Sequence, residues 1–295
     1  MTNNKPVIIF SHVQFPKTHT VYNWMSSEKT LNLVLQKAEL SLKFVQRHGY
    51  ETILYVDEES ANFLKHLPYD TVKIIKPSLL KRISPHFWSV GKIYAYSQTR
   101  KPFVHIDFDV FLFEDFVKWY NNWPFFSFAK EKWTKTLSKP FAKLIEHCVP
   151  EISNVDYLYS YNCSVFGGKD FNSINKAARK TLSVLLNHQR EFIEYTEKHF
   201  LKVYKAAGVM PWYLALLLEQ VIFIHILMHE QNLIEFPTIT GTKDSLDDFI
   251  SDFKKLKMFH LWGDELKTTI QTCFGSETFL KIIEKYFYTN CCKIQ

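Results

Sequence analysis

The amino-acid sequence predicts an α/β fold, with a mostly parallel sheet flanked by helices and a C-terminal helical addition. Short apolar, β-branched segments alternate with segments of helical periodicity over residues 7–113, which is typical of parallel sheets covered by helices on both faces. The 295 residues are enough for one large α/β domain. A hydrophobic share of 46% and a charged share of 22% are ordinary for a globular protein with a sizeable core.

The elements of the first half follow from these two periodicities. Pro6 precedes the first strand, and Pro77 follows the third. Apolar residues recur at helical spacing from residue 28 until Gly49 ends the pattern. The predicted strands are 7–13, 51–56, 71–75 and a fourth that begins at 103 in the segment 103–113; the predicted helices are 28–48, 59–66 and 87–98.

The second half is less regular, and we predict one compact unit rather than two domains. The expected domain covers residues 1–270, and residues 271–295 form the helical extension. The predicted strands are 125–128, 157–166 and 233–236; the predicted helices are 172–207, 211–228 and 277–287, with 243–257 as a solvated helix or loop.

Composition narrows the classes of partner and compartment. Five cysteines without a C-x-x-C pair, and an N-terminus without a secretory pattern, indicate a reduced, cytoplasmic protein. The apolar segment 211–228 is interrupted by Glu219, Gln220 and His225, which favours a buried helix over a membrane span, with peripheral membrane contact left open. A net charge of +6 without a dense Lys/Arg tract suits an anionic nucleotide ligand rather than nucleic acid.

The aromatic share of 16% has two interpretations. The rings form a phenylalanine-rich core, or some of them line a sugar cleft, since flat rings cover the apolar faces of pyranoses.

The strongest local signal is the pair Asp107 and Asp109 in the segment HIDFDVFLF. Ligands bind beyond the carboxyl ends of strands in open α/β sheets, so this rule also directs attention to Ser11, His12 and Asp57. On a regular strand the two aspartates would share one face. A divalent cation would relieve their repulsion and could bridge to a diphosphate. The alternative is a strand that runs out into a solvated acidic loop.

The segment HLWGDELK gives a second signal at residues 260–267. His260 is a candidate metal ligand, Gly263 would allow close approach of the backbone, and Lys267 would bind phosphate. Imidazole with carboxylates suits Mn²⁺ or Zn²⁺ better than Ca²⁺. The alternative is a histidine that is simply packed against a tryptophan.

Three further segments carry candidate polar residues. Asn162 and Ser164 lie in a strand-like run, where they either contact sugar hydroxyls or merely precede a turn. Glu219, next to Gln220 in a very apolar helix, either pairs with a Lys or Arg or points into the cleft, where it would hold sugar hydroxyls or stabilise positive charge on the anomeric carbon. Lys92 precedes the acidic strand and either contacts the sugar or diphosphate or is solvated.

The order of these segments resembles the GT-A (Rossmann-like) glycosyltransferases, and the chain is most similar to family 8, the glycogenin and galactosyltransferase-like group, as a remote bacterial branch. FWSVGKIYAY and FVHIDFDVFLF correspond to the family's basic helix and D-x-D strand, and NCSV corresponds to its NSGV segment. LEQVIF is a looser counterpart of its D-Q-D motif, without the last acid. His260, Gly263 and Lys267 correspond to H-x-x-G-x-x-K with one extra residue before the lysine.

The resemblance implies roles for individual residues. Asp107 and Asp109 would bind Mn²⁺, or alternatively Mg²⁺, together with the donor diphosphate, and His260 would be the third protein ligand. Lys267 would contact the diphosphate, and Ser11, His12 and Val13 would hold the base and ribose. The residues that would face the donor sugar and acceptor are Asn162, Ser164, Glu219 and Gln220.

The expected function is transfer of a hexose from a UDP-sugar to an acceptor that is a glycan, a lipid-linked glycan, a peptide or a small molecule. Asp107, Asp109 and Lys267 would stabilise the leaving group, and Glu219 would act as base if configuration inverts. One alternative is a sugar-nucleotide-binding protein with little turnover, and another is a structural protein with a fortuitous D-x-D. A nucleotidyltransferase usually has a Gly-rich loop after the first strand, and SHVQFPKTH lacks one.

Overall fold

The structure is a computed structural model that describes residues 5–13, 28–112, 117–132, 135–152, 159–204, 212–239, 242–243 and 258–260. The described strands are β1 (Val7–His12), β2 (Thr52–Val56), β3 (Thr71–Ile74), β4 (Phe103–Ile106), β5 (Val110–Leu112), β6 (Phe126–Lys132), β7 (Tyr159–Gly168), β8 (Thr242–Lys243) and β9 (Met258–His260). The described helices are α1 (Glu28–Arg47), α2 (Glu58–Leu64), α3 (Pro77–Leu80), α4 (Val90–Gln98), α5 (Val117–Asn122), α6 (Lys135–Cys148), α7 (Phe171–Tyr204), α8 (Trp212–Leu216) and α9 (Ile224–Glu230).

A seven-stranded sheet with the order β3-β2-β1-β4-β7-β6-β8 forms the centre of the described chain. β1 pairs in parallel with β2 and β4, and β2 pairs in parallel with β3. β7 is antiparallel to both of its neighbours, β4 and β6. The predicted α/β class with a mostly parallel sheet flanked by helices is therefore confirmed. β5 and β9 form a separate, two-stranded antiparallel sheet.

Both faces of the central strands are buried, which explains why they are apolar throughout. On one face of the sheet, Val7 and Ile9 of β1 pack with residues of α4, α7 and α9. Ile8 and Phe10 point to the other face, where they pack with residues of α1 and α2. Successive side chains of a strand point to opposite faces, so a strand covered on both sides needs an unbroken apolar run.

Glycine allows β7 to approach β4 closely. Gly167 pairs with Val104, and a Cβ atom added at Gly167 would lie 2.2 Å from the backbone oxygen of Phe103. No side chain fits at that distance, so the position requires glycine.

Two strand predictions have different outcomes, the first confirmed and the second wrong. The segment 103–113 begins as a strand at Phe103, as predicted; β4 ends at Ile106, and β5 begins at Val110 in the other sheet. Residues 233–236 form no strand, and Ile234 is 99% exposed. Thr238, beyond Pro237, makes the bridge to Ser127 instead.

Each predicted helix that lies in the described residues has a counterpart in the structure, but the structure also contains helices that were not predicted. α3, α5 and α6 are not among the predicted elements, and α6 contains Pro140, which normally marks the end of a helix. The predicted helix 211–228 is present over Trp212–Glu230, but its centre, Leu217–Phe223, is a π-helix.

Among the described residues, no helix has both the length and the hydropathy needed to cross a bilayer. The predicted helix 277–287, the residues 244–257 and the proposed boundary after residue 270 lie outside the described residues.

Candidate active site

Asp107 and Asp109 lie in a turn directly after β4, at the edge of the sheet where β1, β2 and β4 all end. We call this the carboxyl edge; it carries Ser11, His12, Asp57 and Asp107. The backbone N–H of Val110 donates to the carbonyl of Asp107 at 3.1 Å, which closes the turn. The expectation that the two aspartates share a face of a regular strand is wrong, because the strand has ended before them. Both side chains are half-buried, as a site open to a ligand requires.

A buried lysine joins two of the predicted acids into what we call the lysine cluster, Lys92, Asp107 and Glu219. The Nζ of Lys92 lies 2.7 Å from Oε1 of Glu219 and 2.8 Å from Oδ1 of Asp107. Burial opposes the charge on Lys92, but attraction and hydrogen bonds to Asp107 and Glu219 outweigh it and raise the lysine pKa. The solvated alternative for Lys92 is therefore wrong, and Glu219 takes the alternative in which it pairs with a lysine.

The π-helix holds Glu219 inside the protein, where its side chain is 1% exposed. Burial raises the pKa of Glu219, and Lys92 acts in the opposite direction. Oε2 of Glu219 and Oε1 of Gln220 are buried and have no hydrogen-bond partner among the described residues. Burying such atoms without a partner costs stability, and π-helical turns are frequent at functional sites. These two oxygens are candidate acceptors for ligand hydroxyls.

A chain of hydrogen bonds connects Asp107 to a buried carboxyl that the sequence did not single out. The N–H of Asp107 donates to the carbonyl of Ser164 at 2.8 Å, and the N–H of Ser164 donates to Oδ1 of Asn162 at 2.9 Å. The amide of Asn162 then donates to Oε1 of Glu131 at 2.6 Å. Burial raises the pKa of Glu131 to about 7, with the Asn162 hydrogen bond acting against that shift.

Asn162 and Ser164 therefore differ in what they leave available to a ligand. Asn162 uses both ends of its amide inside the protein. These bonds tie Asn162 of β7 to Glu131 of β6 and to the backbone of Ser164. The hydroxyl of Ser164 is buried and has no hydrogen-bond partner in the described part of the chain. Ser164 is thus the better candidate of the two for contact with a sugar.

Two histidines, His12 on the carboxyl edge and His105 inside β4, are held in the neutral state. Burial, with Lys92 second, keeps the pKa of His105 well below its usual range, and its Nε2 lies 3.0 Å from the hydroxyl of Ser11. Burial lowers the pKa of His12 to about 4. The His12 ring stacks on Phe108 with an interplanar angle of 6°. His105 was missed by sequence reasoning, although its place two residues before Asp107 in a buried strand was a signal.

His12 and Asp57 are joined through α2. The Nδ1 atom of His12 lies 2.9 Å from the hydroxyl of Ser60, and Asp57 accepts a hydrogen bond from the Ser60 N–H at 2.7 Å. Asp57 thus caps α2. Val13 is half-buried, and a Cβ added at Gly91 would lie 2.5 Å from its Cγ2. The structure therefore brings the ends of β1 and β2 together as predicted.

The backbone pairing of β5 with β9 places His260 next to β5, the strand that follows the turn of Asp107 and Asp109. Val110 pairs with His260, so the residue after Asp109 is the direct neighbour of the third predicted ligand. Gly263 and Lys267 lie outside the described residues.

The donor chemistry of this edge fits a divalent cation. Two carboxylates occur within one turn at Asp107 and Asp109, and oxygen ligands of this kind suit Mg²⁺ and Mn²⁺. A histidine ligand beside these carboxylates would suit Mn²⁺ or Zn²⁺ better than Ca²⁺. Lys92 already partly neutralises Asp107.

The described aromatic residues support the interpretation of a phenylalanine-rich core. Tyr96 contacts the rings of Phe103, Phe166 and Phe223, and all of these side chains are buried. Among the described residues, the exposed large hydrophobic side chains are Ile74 and Ile234, neither of which is aromatic.

Comparisons with known proteins give a family and distant structural neighbours. No curated protein matches the chain. The chain is similar to a solved glycosyltransferase involved in the glycosylation of the major capsid of PBCV-1, with 11% identity, a TM-score of 0.40 and coverage of 90% of this chain and 100% of that chain. It is also similar to the apo structure of the bifunctional glycosyltransferase WbbM, with 9% identity, a TM-score of 0.43 and coverage of 89% of this chain and 46% of that chain. A family model described as "Family of unknown function (DUF6734)" matches residues 17–294. The chain belongs to this family of unknown function, DUF6734.

Proposed function

We propose that this protein is a metal-dependent glycosyltransferase that transfers a hexose from a UDP-sugar to a hydroxyl acceptor. The observation that carries the proposal is the turn of Asp107 and Asp109 at the carboxyl end of β4, the middle strand of the seven-stranded sheet, with His260 paired in the backbone to the residue that follows the turn. Open α/β sheets bind ligands at this edge. The order of the motifs, which resembles family 8 of the glycosyltransferases, supports the same activity and the assignment to that family.

In this proposal Asp107, Asp109 and His260 hold Mn²⁺. When bound, that ion would neutralise the negative charge that develops on the leaving diphosphate. Lys92 holds the side chain of Asp107 in position, because its ammonium group forms ion pairs with both Asp107 and Glu219. Lys267 is the proposed second cation for the diphosphate, and Ser11, His12 and Val13 are the proposed contacts for the nucleoside.

Glu219 is proposed to orient the donor sugar rather than to act as a strong base. Its Oε1 atom is 2.7 Å from Lys92, and this ion pair stabilises the ionised carboxylate. Its buried Oε2 atom has no hydrogen-bond partner within the described residues, so it can accept a hydrogen bond from a sugar hydroxyl. The leaving phosphate can then take the proton of the acceptor, as in a reaction that retains configuration.

The test is a thermal-shift screen of UDP-, GDP- and dTDP-sugars with and without Mn²⁺. A ligand that binds the folded state stabilises it by about 2.7 kcal/mol at a hundredfold excess over its Kd. We expect the largest shift with a UDP-sugar, only when Mn²⁺ is present, and its loss in Asp109→Asn. Glu58→Gln is the matched control, because it removes one exposed carboxylate at the start of α2, beside Asp57 of the same edge.

Turnover separates the proposed enzyme from a binding protein of the same fold. Release of UDP from the stabilising donor should depend on Mn²⁺ and should fall by orders of magnitude in Asp109→Asn. Binding without any release of UDP would instead identify a sugar-nucleotide-binding protein. No shift with any of the nucleotide sugars would contradict the proposal.

A further inference from the structure

A second group of metal-ligating side chains lies outside the candidate active site, where the end of α6 meets the middle of α7. Cys148 is the last residue of α6, and His188 and Glu191 are three residues apart on α7. One ligand atom from each of these three residues lies within 4.8 Å of the other two. We call these three residues the Cys148 cluster.

Two distances within the Cys148 cluster are close to those between ligands of one small cation, and all three ligand atoms lie within 4.8 Å of one another. The Sγ of Cys148 lies 3.4 Å from Oε2 of Glu191, and Nδ1 of His188 lies 3.1 Å from Oε1 of the same carboxylate. In a tetrahedral zinc site with bonds of about 2.0 to 2.3 Å, neighbouring ligand atoms are about 3.3 to 3.7 Å apart. Small rotations of these side chains would therefore bring them to bonding distance of a shared ion.

A fourth donor is available beside the cluster. The Nε2 of His147 lies 3.5 Å from Oε2 of Glu191, and its side chain is 75% exposed. Cys148 is buried, whereas His188 and Glu191 are 31% and 42% exposed at their side chains. The thiol of the site is therefore buried, whereas its imidazole and carboxylate groups are partly exposed. An ion could enter from solvent on the exposed side.

We propose that Cys148, His188 and Glu191 bind a zinc ion, with His147 as the fourth ligand. A thiol together with imidazole favours zinc over the hard cations Mg²⁺ and Ca²⁺. On binding, the thiol releases its proton to solvent and the sulfur bonds to the metal as a thiolate. The ion would join the end of α6 to α7, which makes this a structural site that is separate from the one at Asp107 and Asp109.

The competing explanation is a hydrogen-bonded cluster without metal. The thiol of Cys148 donates to Glu191, and His188 contacts the other oxygen of that carboxylate. This explanation predicts no metal-dependent spectrum and no stabilisation by zinc. The two explanations therefore differ in a direct measurement.

The test is a titration of the chelator-treated full chain with Co²⁺, followed by displacement with Zn²⁺. A Co²⁺ ion bound by a thiolate gives a sulfur-to-metal charge-transfer band in the near ultraviolet and visible bands of tetrahedral cobalt. We expect the charge-transfer band to reach the intensity of one thiolate-bound Co²⁺ per chain, separately from any Co²⁺ held at Asp107 and Asp109, and to disappear when Zn²⁺ is added. Zn²⁺ should also raise the Tm of the chelator-treated protein.

Variants assign the bands to residues. Cys148→Ser should abolish the charge-transfer band, and His188→Gln should weaken Co²⁺ binding by more than the roughly 10- to 100-fold cost of losing an outer-sphere partner. The triple variant Cys273→Ser, Cys291→Ser and Cys292→Ser removes three other thiols and should retain the band. His66→Gln, an exposed histidine after α2, is the matched control for His188→Gln. Asp107→Asn with Asp109→Asn should also retain the band.

Two results would overturn the zinc proposal. One is a wild-type protein that gives no thiolate-to-cobalt band, and the other is a band of full intensity in Cys148→Ser. If circular dichroism shows that Cys148→Ser is unfolded, His188→Gln and Glu191→Gln decide the matter, because both keep the thiol. Unchanged Co²⁺ affinity in both of these folded variants would contradict the site.

Discussion

At the scale of single residues, a lysine is what joins the separate sequence signals into one site. Asp107, Lys92 and Glu219 were each predicted as candidates, but the sequence could not predict that they touch. Lys92 and Glu219 are 127 residues apart in the chain, and no local periodicity links residues at such a separation. Glu131 was missed altogether, because a single acidic residue near the end of an alternating strand is ordinarily solvated.

Removal of Lys92 should lower the stability of the folded protein, because it leaves Glu219 as a buried charge without its partner. We expect Lys92→Met to lower the free energy of unfolding by about 3 to 5 kcal/mol, measured by urea denaturation. The double variant Lys92→Met with Glu219→Gln should recover much of that loss. Lys101→Met is the control, because its ion pair with Glu51 is about half exposed and contributes less than about 1 kcal/mol. Equal losses in the two single variants would contradict the buried pair.

Glu131 should make stability depend on pH. Burial raises its pKa from 4.5 to about 7 in the folded protein. The unfolded state therefore loses its proton first as the pH rises, and the contribution of Glu131 to stability declines between about pH 4.5 and 7. Each pKa unit corresponds to about 1.4 kcal/mol, so the decline should amount to a few kcal/mol. Glu131→Gln should remove it, as measured by urea denaturation at a series of pH values. An unchanged pH profile would contradict the raised pKa.

At the scale of elements, close contacts between backbones set the position of the site. The approach of β7 to β4 lets the carbonyl of Ser164 accept the N–H of Asp107, and Gly167 permits that approach. The π-helix is one of the elements that the sequence did not predict, since its residues follow the same apolar pattern as a buried α-helix. The turn between β4 and β5 was missed for the same reason, because FVHIDFDVFLF is apolar on both sides of its acids.

Gly167→Ala should destabilise the sheet. The added Cβ would meet the backbone of Phe103 and Val104 at 2.2 and 2.7 Å, and backbone atoms cannot rotate away as side chains do. We expect a loss at or above the roughly 1 to 3 kcal/mol typical of overpacking, measured by urea denaturation. Gly49→Ala is the comparison, because Gly49 is exposed with a φ of +68° and its replacement costs about 1 to 2 kcal/mol. A smaller loss at Gly167 than at Gly49 would contradict the packing of β7 on β4.

At the scale of the whole molecule, the alternation of strands and helices was sufficient to predict the sheet and the edge that carries the site. Parallel strands have their carboxyl ends on one side of the sheet, so the sequence alone predicts that Ser11, His12, Asp57 and Asp107 lie at the same edge. The antiparallel β7 and the pairing of β5 with β9 could not be predicted, because long-range pairing leaves no local pattern. The second metal-ligating cluster was likewise hidden, since α6 was not predicted and a C-x-x-C spacing is absent.

In the proposed site, Asp107 and Asp109 hold a divalent ion that also binds the diphosphate of a nucleotide sugar. A paramagnetic resonance titration of Mn²⁺ with the protein, in the presence and absence of UDP, measures this binding. We expect the free Mn²⁺ signal to fall until about one ion per chain is bound, and we expect UDP to tighten this binding by about tenfold or more. Asp107→Asn with Asp109→Asn should eliminate the UDP-dependent part. Mn²⁺ binding that is insensitive to UDP, or that persists unchanged in the double variant, would contradict the proposed site.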